Sequence, residues 1–191
     1  MNELYQFLNS ISPISPETWQ KIKELQSEIT LKKGEYFVKD GETAHQIGFL
    51  RSGIIRAFYR NDEGLEYNKH FFISNSFVAG YSSLITNLPS KISKQALTDC
   101  LLIVSNYDDI CKLYNNHQDF ERIGRRLAEL FFVQKEQREI EIVMLEAEER
   151  YCNFQKQFPL LEQQIPQYHI SSYLGITHIH LSRIRKKISE K

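Results

Sequence analysis

The chain has 191 residues, a formal net charge of zero and a hydrophobic fraction of 41%, enough for one large or two small cored domains. No run of about 18 apolar residues exists, which excludes a membrane-spanning helix. The three cysteines, Cys100, Cys111 and Cys152, are odd in number, widely spaced and without a CxxC pair, which excludes a disulfide framework and a cysteine zinc site. The start, MNELYQFLNS, lacks the basic-then-apolar layout of a signal peptide, so the expectation is a cytosolic chain.

Near the N-terminus, Ser15-Pro16-Glu17 is a helix start. Serine caps, proline fits the first turn and glutamate suits the dipole. Trp19, Ile22 and Leu25 follow at helical spacing. From about Glu28 to Val104 the pattern changes to short β-rich runs: EYFVKD, QIGFLRSGIIRAFYR, EYNKHFFI and SKQALTDCLLIV. Turn signals lie among them at Lys33-Gly34, Asp40-Gly41, Ser52-Gly53 and Asn61 to Gly64. Many short strands at close spacing predict a sandwich or jelly-roll barrel.

From about Tyr107 the pattern is helical to the end. FERIGRRLAELFFVQKEQREIEIVML places Phe120, Ile123, Leu127, Leu130 and Phe131 on one stripe, with Met144 and Leu145 further on. Such a seam pairs with a second copy of itself or packs on its own barrel, and periodicity leaves both open. The seam weakens at Gln134 and Gln137. A further helix from about Glu146 to Phe158 stops before Pro159, and Pro166 opens a final helical pair.

The tail carries the charge. From Ile165 onward there are five basic residues and one acid, so these positions sum to +4 and the rest of the chain to −4. Gly175 is the turn between two short helices. Ile170 and Leu174 before it, and Ile176, Leu181, Ile184 and Ile188 after it, supply an inner face, while Ser171 is small enough for close approach. Thr177 is placed to cap the second helix. This is a helix-turn-helix layout. At about 100° per residue, the opposite face of that second helix presents Ile179, Ser182, Arg183 and Lys186, with Arg185 on the flank. Arginine bridges guanine O6 and N7, serine reaches several base edges, and an aliphatic group meets a thymine methyl. The cations neutralise phosphates. His178 and His180 point about 200° apart and do not share a metal ion; contact with phosphate or base, or plain exposure, remains open for them. The competing reading of this segment is a solvated basic helix.

The barrel, the long helix and the terminal helix-turn-helix together resemble the Crp/Fnr family of bacterial transcription regulators, in particular its compact Bacteroidetes-type members. The resemblance runs through nearly the whole chain and is sharpest in FLRSGIIRAFY (49–59) and IPQYHISSYLGITHIHLSRIRKKI (165–188). It implies an α+β architecture: an N-terminal cyclic-nucleotide-binding-like β jelly roll of the cupin-like double-stranded β-helix kind, a long dimerisation helix, and a C-terminal helix-turn-helix domain with little or no wing. The boundaries expected are 1–119, 120–146 and 147–191. It implies a homodimer, paired through Phe120, Ile123, Leu127, Leu130 and Phe131, on a pseudo-palindromic operator with half-sites about one helical turn apart. The expected partners are double-stranded DNA, a second copy and RNA polymerase, with no membrane. Carried over residue by residue, Thr177, His178 and Ile179 stand where the family's reading helix has Ser-Arg-Glu, and Arg183 keeps the later arginine. With Ser182, Arg185 and Lys186 these form the expected DNA-binding set.

The ligand region departs from the family. In FVAGYSSLITNLPSKISKQA, Gly80 or Tyr81 stands where a ribose-binding glutamate belongs, and Ser90-Lys91 stands where Arg-Ser meets the cyclic phosphate. Lysine offers a point charge and no bidentate fork. Gly80, Tyr81, Ser82, Ser83 and Lys91 are the expected pocket residues, with backbone N–H groups near Ser82 and Ser83 open to an anion. The expectation is a sensor for an unidentified small-molecule effector, or for none, and not for cyclic AMP. No cofactor is implied with certainty. An iron–sulfur sensor is excluded because no cysteine precedes Cys100, and haem ligation would draw on the isolated His45 or His70. A cupin-type metal enzyme needs clustered ligands, which two histidines twenty-five positions apart do not supply, so no enzyme is expected. The alternative function is a small-molecule binding module whose terminal helices make protein contacts.

Overall fold

The structure is a computed structural model and describes residues Glu3–Glu190. Two helices, α1 (Glu3–Ile11) and α2 (Pro16–Glu24), precede the strands β1 (Ser27–Leu31), β2 (Tyr36–Val38), β3 (Gln46–Ser52), β4 (Ile55–Arg60), β5 (Glu66–Phe72) and β6 (Ser76–Ala79). A short α3 (Tyr81–Thr86) leads to β7 (Ser93–Ala96) and β8 (Cys100–Asn106). Then come α4 (Tyr107–Tyr114), α5 (Gln118–Met144), α6 (Ala147–Gln157), a 3₁₀ turn (Leu161–Gln163), α7 (Gln167–Leu174) and α8 (His178–Ser189).

The strands form a sandwich of two four-stranded sheets, ordered β1-β8-β3-β6 and β2-β7-β4-β5. Strand alternation builds its two cores. On the antiparallel β3–β8 ladder, Leu50 opposes Leu102 and Phe49 opposes Ile103. Leu50 and Leu102 turn inward and meet Ile55, Val78, Ala96 and Val104 between the sheets. Phe49 and Ile103 turn outward and meet Leu4, Leu8, Ile22, Phe120 and Ile123 from the flanking helices. Each large apolar side chain fully buried in this way, such as Leu50, Leu102 or Phe49, contributes about 1.5–3 kcal/mol. The start of α2 is as the sequence predicts: Ser15 Oγ accepts from Thr18 N at 3.1 Å, and Asp119 Oδ2 accepts from Ser15 N at 2.8 Å. The helix α1 is an addition to the sequence reading.

Residues Met1–Ala57 with Phe71–Phe131 form one compact unit, and Phe58–His70 with Phe132–Lys191 form a second. This division cuts the chain differently from the expected 1–119, 120–146 and 147–191. The long helix α5 is shared between the units, and the tip of the β4–β5 hairpin counts with the C-terminal helices. The expected helix 120–146 is observed as Gln118–Met144.

Within the second unit, α6 opens on a capping box in which Glu146 and Glu149 each bond the other's backbone N–H. Phe154, Phe158 and Tyr173 pack ring against ring at centroid distances of 5.5 to 5.9 Å. The helix α7 stops at Gly175, whose φ of 69° is the left-handed C-cap that glycine adopts without cost. Among the described residues no strand follows β8.

Candidate nucleic-acid interface and sensor region

The glycine turn sets up α8. Ile176 N bonds back to Ser171 O at 3.0 Å, and Thr177 Oγ1 accepts from His180 N at 3.2 Å, capping the helix. Leu181 and Ile184 are buried, Leu181 completely. They hold α8 by its inner face and leave the other face to solvent. On that face Ile179 is 65% exposed, and Thr177, His178, His180, Ser182, Arg183 and Lys186 are exposed with it. An aliphatic side chain on this open face is free to meet an apolar group of a partner, such as a thymine methyl.

The cations of α8 divide into two sets. Arg185 is partly buried and lies 3.9 Å from Glu162 Oε2, the acid that also accepts from Tyr151 Oη at 2.7 Å. Lys187 pairs with Glu148 on α6. Both are therefore paired to acids of the same unit, Arg185 partly buried and Lys187 at the surface. Lys186 is 3.8 Å from Glu190 at the helix end and stays open to solvent. Arg183 makes no ion pair among the described residues and faces outward beside Ile179 and Ser182.

Side chains that local sequence patterns do not single out seat α7. Arg138 of α5 donates to Tyr173 O and lays its guanidinium 3.9 Å from the centre of the Tyr173 ring. Arg150 of α6 donates to Leu174 O at 3.2 Å and to Leu145 O at 2.6 Å. Two carbonyls at the end of α7, orphaned by helix geometry, are thus held by charged donors. On its other side α7 meets the hairpin tip through His169 and Ser172. His70, partly buried against Phe158 at 5.6 Å, has its pKa pushed down to about 4, first by burial and then by the Lys69 and Arg138 charges.

The expected pocket residues divide between buried and exposed positions. Gly80 is buried at the start of α3, and a Cβ there would come within 2.7 Å of the Ala44 Cβ, so close backbone approach accounts for the glycine. Ser83 is buried and committed to the fold: its Oγ accepts from Ala44 N at 3.0 Å and donates to Leu88 O. Tyr81 and Ser82 are exposed, with the Tyr81 ring edge-on to Tyr107 at 6.3 Å. Burial, more than the neighbouring Tyr81 and Cys111, raises the Tyr107 phenol above its ordinary range. Lys91 is exposed, whereas Lys94 on β7 is buried and donates to Ser90 Oγ at 3.3 Å and Ile92 O at 2.9 Å. An open groove of about 360 Å³ lies beside the 42–46 loop, lined by Phe37, His45, Gln46 and Asn106 among others; none of the five expected pocket residues lines it. Among the described residues no three His, Cys, Asp or Glu side chains cluster as a metal site, and no helix is long and apolar enough to cross a membrane.

The stripe along α5 is also divided. Phe120 and Ile123 belong to the core of the first unit, Ile123 with no exposed surface, and Leu127 packs partly against it. Leu130 and Phe131 are exposed, and so are Phe132, Val133, Ile140, Ile142, Val143 and Met144.

Residues 28–117 match the family model described as the cyclic nucleotide-binding domain. Among solved structures, FixK2 from Bradyrhizobium japonicum superimposes with a TM-score of 0.75 at 16% identity, over 86% of this chain and 85% of that one. A regulator assigned to the Crp/Fnr family from Eubacterium rectale gives 0.71 at 15% identity, over 92% and 84%. The catabolite activator protein of Thermus thermophilus gives 0.59 at 19% identity, over 94% and 86%. The fold is that of the Crp/Fnr regulators. No curated protein matches the chain in sequence. The β-sandwich, the long helix and the C-terminal helices expected from that resemblance are therefore all present.

Proposed function

We propose that this Crp/Fnr-fold chain is a sequence-specific DNA-binding transcription regulator, acting as a homodimer on a pseudo-palindromic operator and working with RNA polymerase in the cytoplasm. The observation that carries the reading is the outer face of α8. Ile179, Ser182 and Arg183 stand exposed together, backed by the buried Leu181 and Ile184. That is the side-chain set that reads a major groove: a methyl contact, a hydroxyl and a bidentate donor. Thr177 and His178 at the helix start, with Lys186 about two turns further on, are placed for phosphates.

The exposed run of α5 supports the dimer. Leu130, Val133, Gln137, Ile140 and Met144 follow the alternating three- and four-residue spacing of a coiled-coil seam. The pairing surface in this reading starts at Leu130. Phe120 and Ile123 serve the fold, and Leu127 only borders the seam. The barrel in this reading does not take cyclic AMP, since neither Gly80 nor Tyr81 supplies a carboxylate and Ser90 offers no guanidinium fork. Its role is that of a sensor and not of an enzyme.

The test is selection of bound sequences from a random duplex pool at two salt concentrations, with Arg183→Ala run beside the wild type. The expected result is a two-fold symmetric motif, weakened by salt and lost in the variant. No enrichment by a purified dimer, with or without a metabolite mixture, would turn the assignment toward a binding module whose terminal helices contact protein.

A further inference from the structure

The outer arc of α8 is short of hydrogen-bond acceptors. Ile179, Ser182, Arg183 and Lys186 fall within about 100° of helix circumference, with Leu181, Ile184 and Ile188 on the far side. Ile179 lies inside that arc, in the first turn of the helix, and is 65% exposed. The first turn is the part of a recognition helix that meets base edges. His178 and His180 project about 100° to either side of it. The helix, HIHLSRIRKKIS, holds no acidic residue. The Thr177 hydroxyl, just before it, accepts from His180 N. Ser182 Oγ is therefore the one side-chain acceptor on the arc. In the major groove cytosine N4 and adenine N6 are donors, and reading them takes an acceptor. Guanine presents two acceptors, and thymine adds a methyl group. Arg183 suits the guanine. A base pair opposite Ile179 meets no polar group of that side chain and differs to it only by its methyl.

We propose that Ile179 makes α8 a reader of the C5 methyl group of a pyrimidine, set within two base pairs of the guanine held by Arg183, an inference that rests on the DNA-binding reading above. The helix fixes the spacing. Ile179 and Arg183 are four residues apart, about 6 Å along the axis, and bases follow one another about every 3.4 Å. The methyl and the guanine therefore fall on adjacent or next-but-one base pairs. Two bases carry such a methyl, thymine and 5-methylcytosine, and both hold it at the same place in the groove. An aliphatic side chain has no donor or acceptor with which to tell thymine O4 from cytosine N4, so it accepts either base. Unmodified cytosine lacks the methyl and leaves Ile179 against a donor that it cannot satisfy. Where a cytosine occupies this position, its methylation thus turns a weak half-site into a strong one. A carboxylate in place of Ile179 would reverse the preference by accepting from cytosine N4.

The test uses the full-length chain and the duplex that it selects from the random pool. Each thymine within two base pairs of a specified guanine is replaced in turn by deoxyuridine, which removes the methyl and keeps the pairing. In a second series the same T·A pair becomes C·G, with cytosine or 5-methylcytosine. Affinity is read by anisotropy of the labelled duplex. At one thymine position deoxyuridine is expected to weaken wild-type binding about fourfold, the weight of one buried methyl group, and about fifteenfold when both half-sites are changed. At that position 5-methylcytosine is expected to bind about fourfold tighter than cytosine. Neither methyl should matter to Ile179→Ala, which keeps the fold because the side chain is exposed and alanine favours a helix. Ile179→Glu should exchange the preference for T·A at this position for C·G. No methyl effect at any such thymine in the wild type overturns the proposal, and so does an equal effect in Ile179→Ala; both leave the selected operator, and with it the DNA-binding reading, intact. A selected half-site with no thymine within two base pairs of a guanine overturns it as well. If the wild type enriches no sequence, the DNA-binding reading fails first and this role of Ile179 goes with it.

Discussion

Arg138→Ala is the sharpest perturbation of the seat beneath the helix-turn-helix. The wild-type guanidinium stacks 3.9 Å from the Tyr173 ring centre, caps Tyr173 O, and donates to Glu141 Oε2 at 3.0 Å, with the Arg138 side chain only 17% exposed. A charged hydrogen bond is worth about 1.5–3 kcal/mol, and a shielded cation–π contact about 1–2 kcal/mol. The i,i+3 pair with Glu141 adds a few tenths. The second unit should therefore lose about 3–4 kcal/mol. Arg138→Lys keeps a charge but offers neither a planar face nor a fork, and should recover less than half. The assay is urea unfolding with two probes. Trp19 is the only tryptophan and packs 5.0 Å from Tyr5 in the first unit, so its fluorescence follows that unit, whereas far-ultraviolet circular dichroism follows the helices of both. The expected result is an early loss of helical signal with the Trp19 midpoint unchanged. A loss below about 1 kcal/mol, or equal shifts in both probes, would refute the assignment of Arg138 to the seat of α7.

Other outcomes follow from the same geometry. Leu130→Glu with Ile140→Glu should give monomers by sedimentation while preserving the fold, because both side chains are more than half exposed; Ile123→Ala should instead cost the first unit about 2–5 kcal/mol as a core cavity. His70 is held down at about 4 by burial and by the Lys69 and Arg138 charges, against about 6.5 in an unfolded chain. On acidification the unfolded state takes up its proton first, so stability is full above about pH 6.5 and falls toward pH 4, by at most about 3 kcal/mol. His70→Gln should flatten that slope, as followed by thermal melts across the range.

Much of the fold was legible because strand alternation and helical periodicity are local. Phe49 beside Leu50 and Leu102 beside Ile103 already place one side chain on each face of a sheet. The turn at Gly175, the cap at Thr177 and the inner face of α8 were readable for the same reason. The helix α1 was not, since ELYQFLNSI offers no strong cap and only Leu4 and Leu8 become buried. The seam of α5 misled in part. A stripe that packs on its own core and a stripe that awaits a second copy share one period, and only burial separates Ile123 from Leu130. The same limit applies to charge. Lys91 and Lys94 look alike in sequence, but only Lys94 is turned into the protein, where its ammonium meets Ser90 and Ile92. Ser172 and Asn68 meet across 104 positions, a distance over which no local pattern carries information.

The +4 tail can now be divided between structure and recognition, and the division makes a quantitative claim about salt. Arg185 and Lys187 are engaged by Glu162 and Glu148, leaving Arg183 and the loosely held, exposed Lys186 as the outward cations of α8. Each phosphate neutralised on B-DNA contributes a slope of about −0.9 in log affinity against log salt. Two cations per protomer give a dimer a slope of about −4. If all four cations of α8 swung out to the DNA, the slope would steepen to about −7. A titration on the selected operator over a range of salt separates the two cases. The shallow slope means that α6 and the 3₁₀ turn keep Arg185 and Lys187 as internal braces, so that specificity rests on Ile179, Ser182 and Arg183. A steep slope means that the braces break on binding, and Glu148→Gln should then raise non-specific affinity by freeing Lys187 in advance.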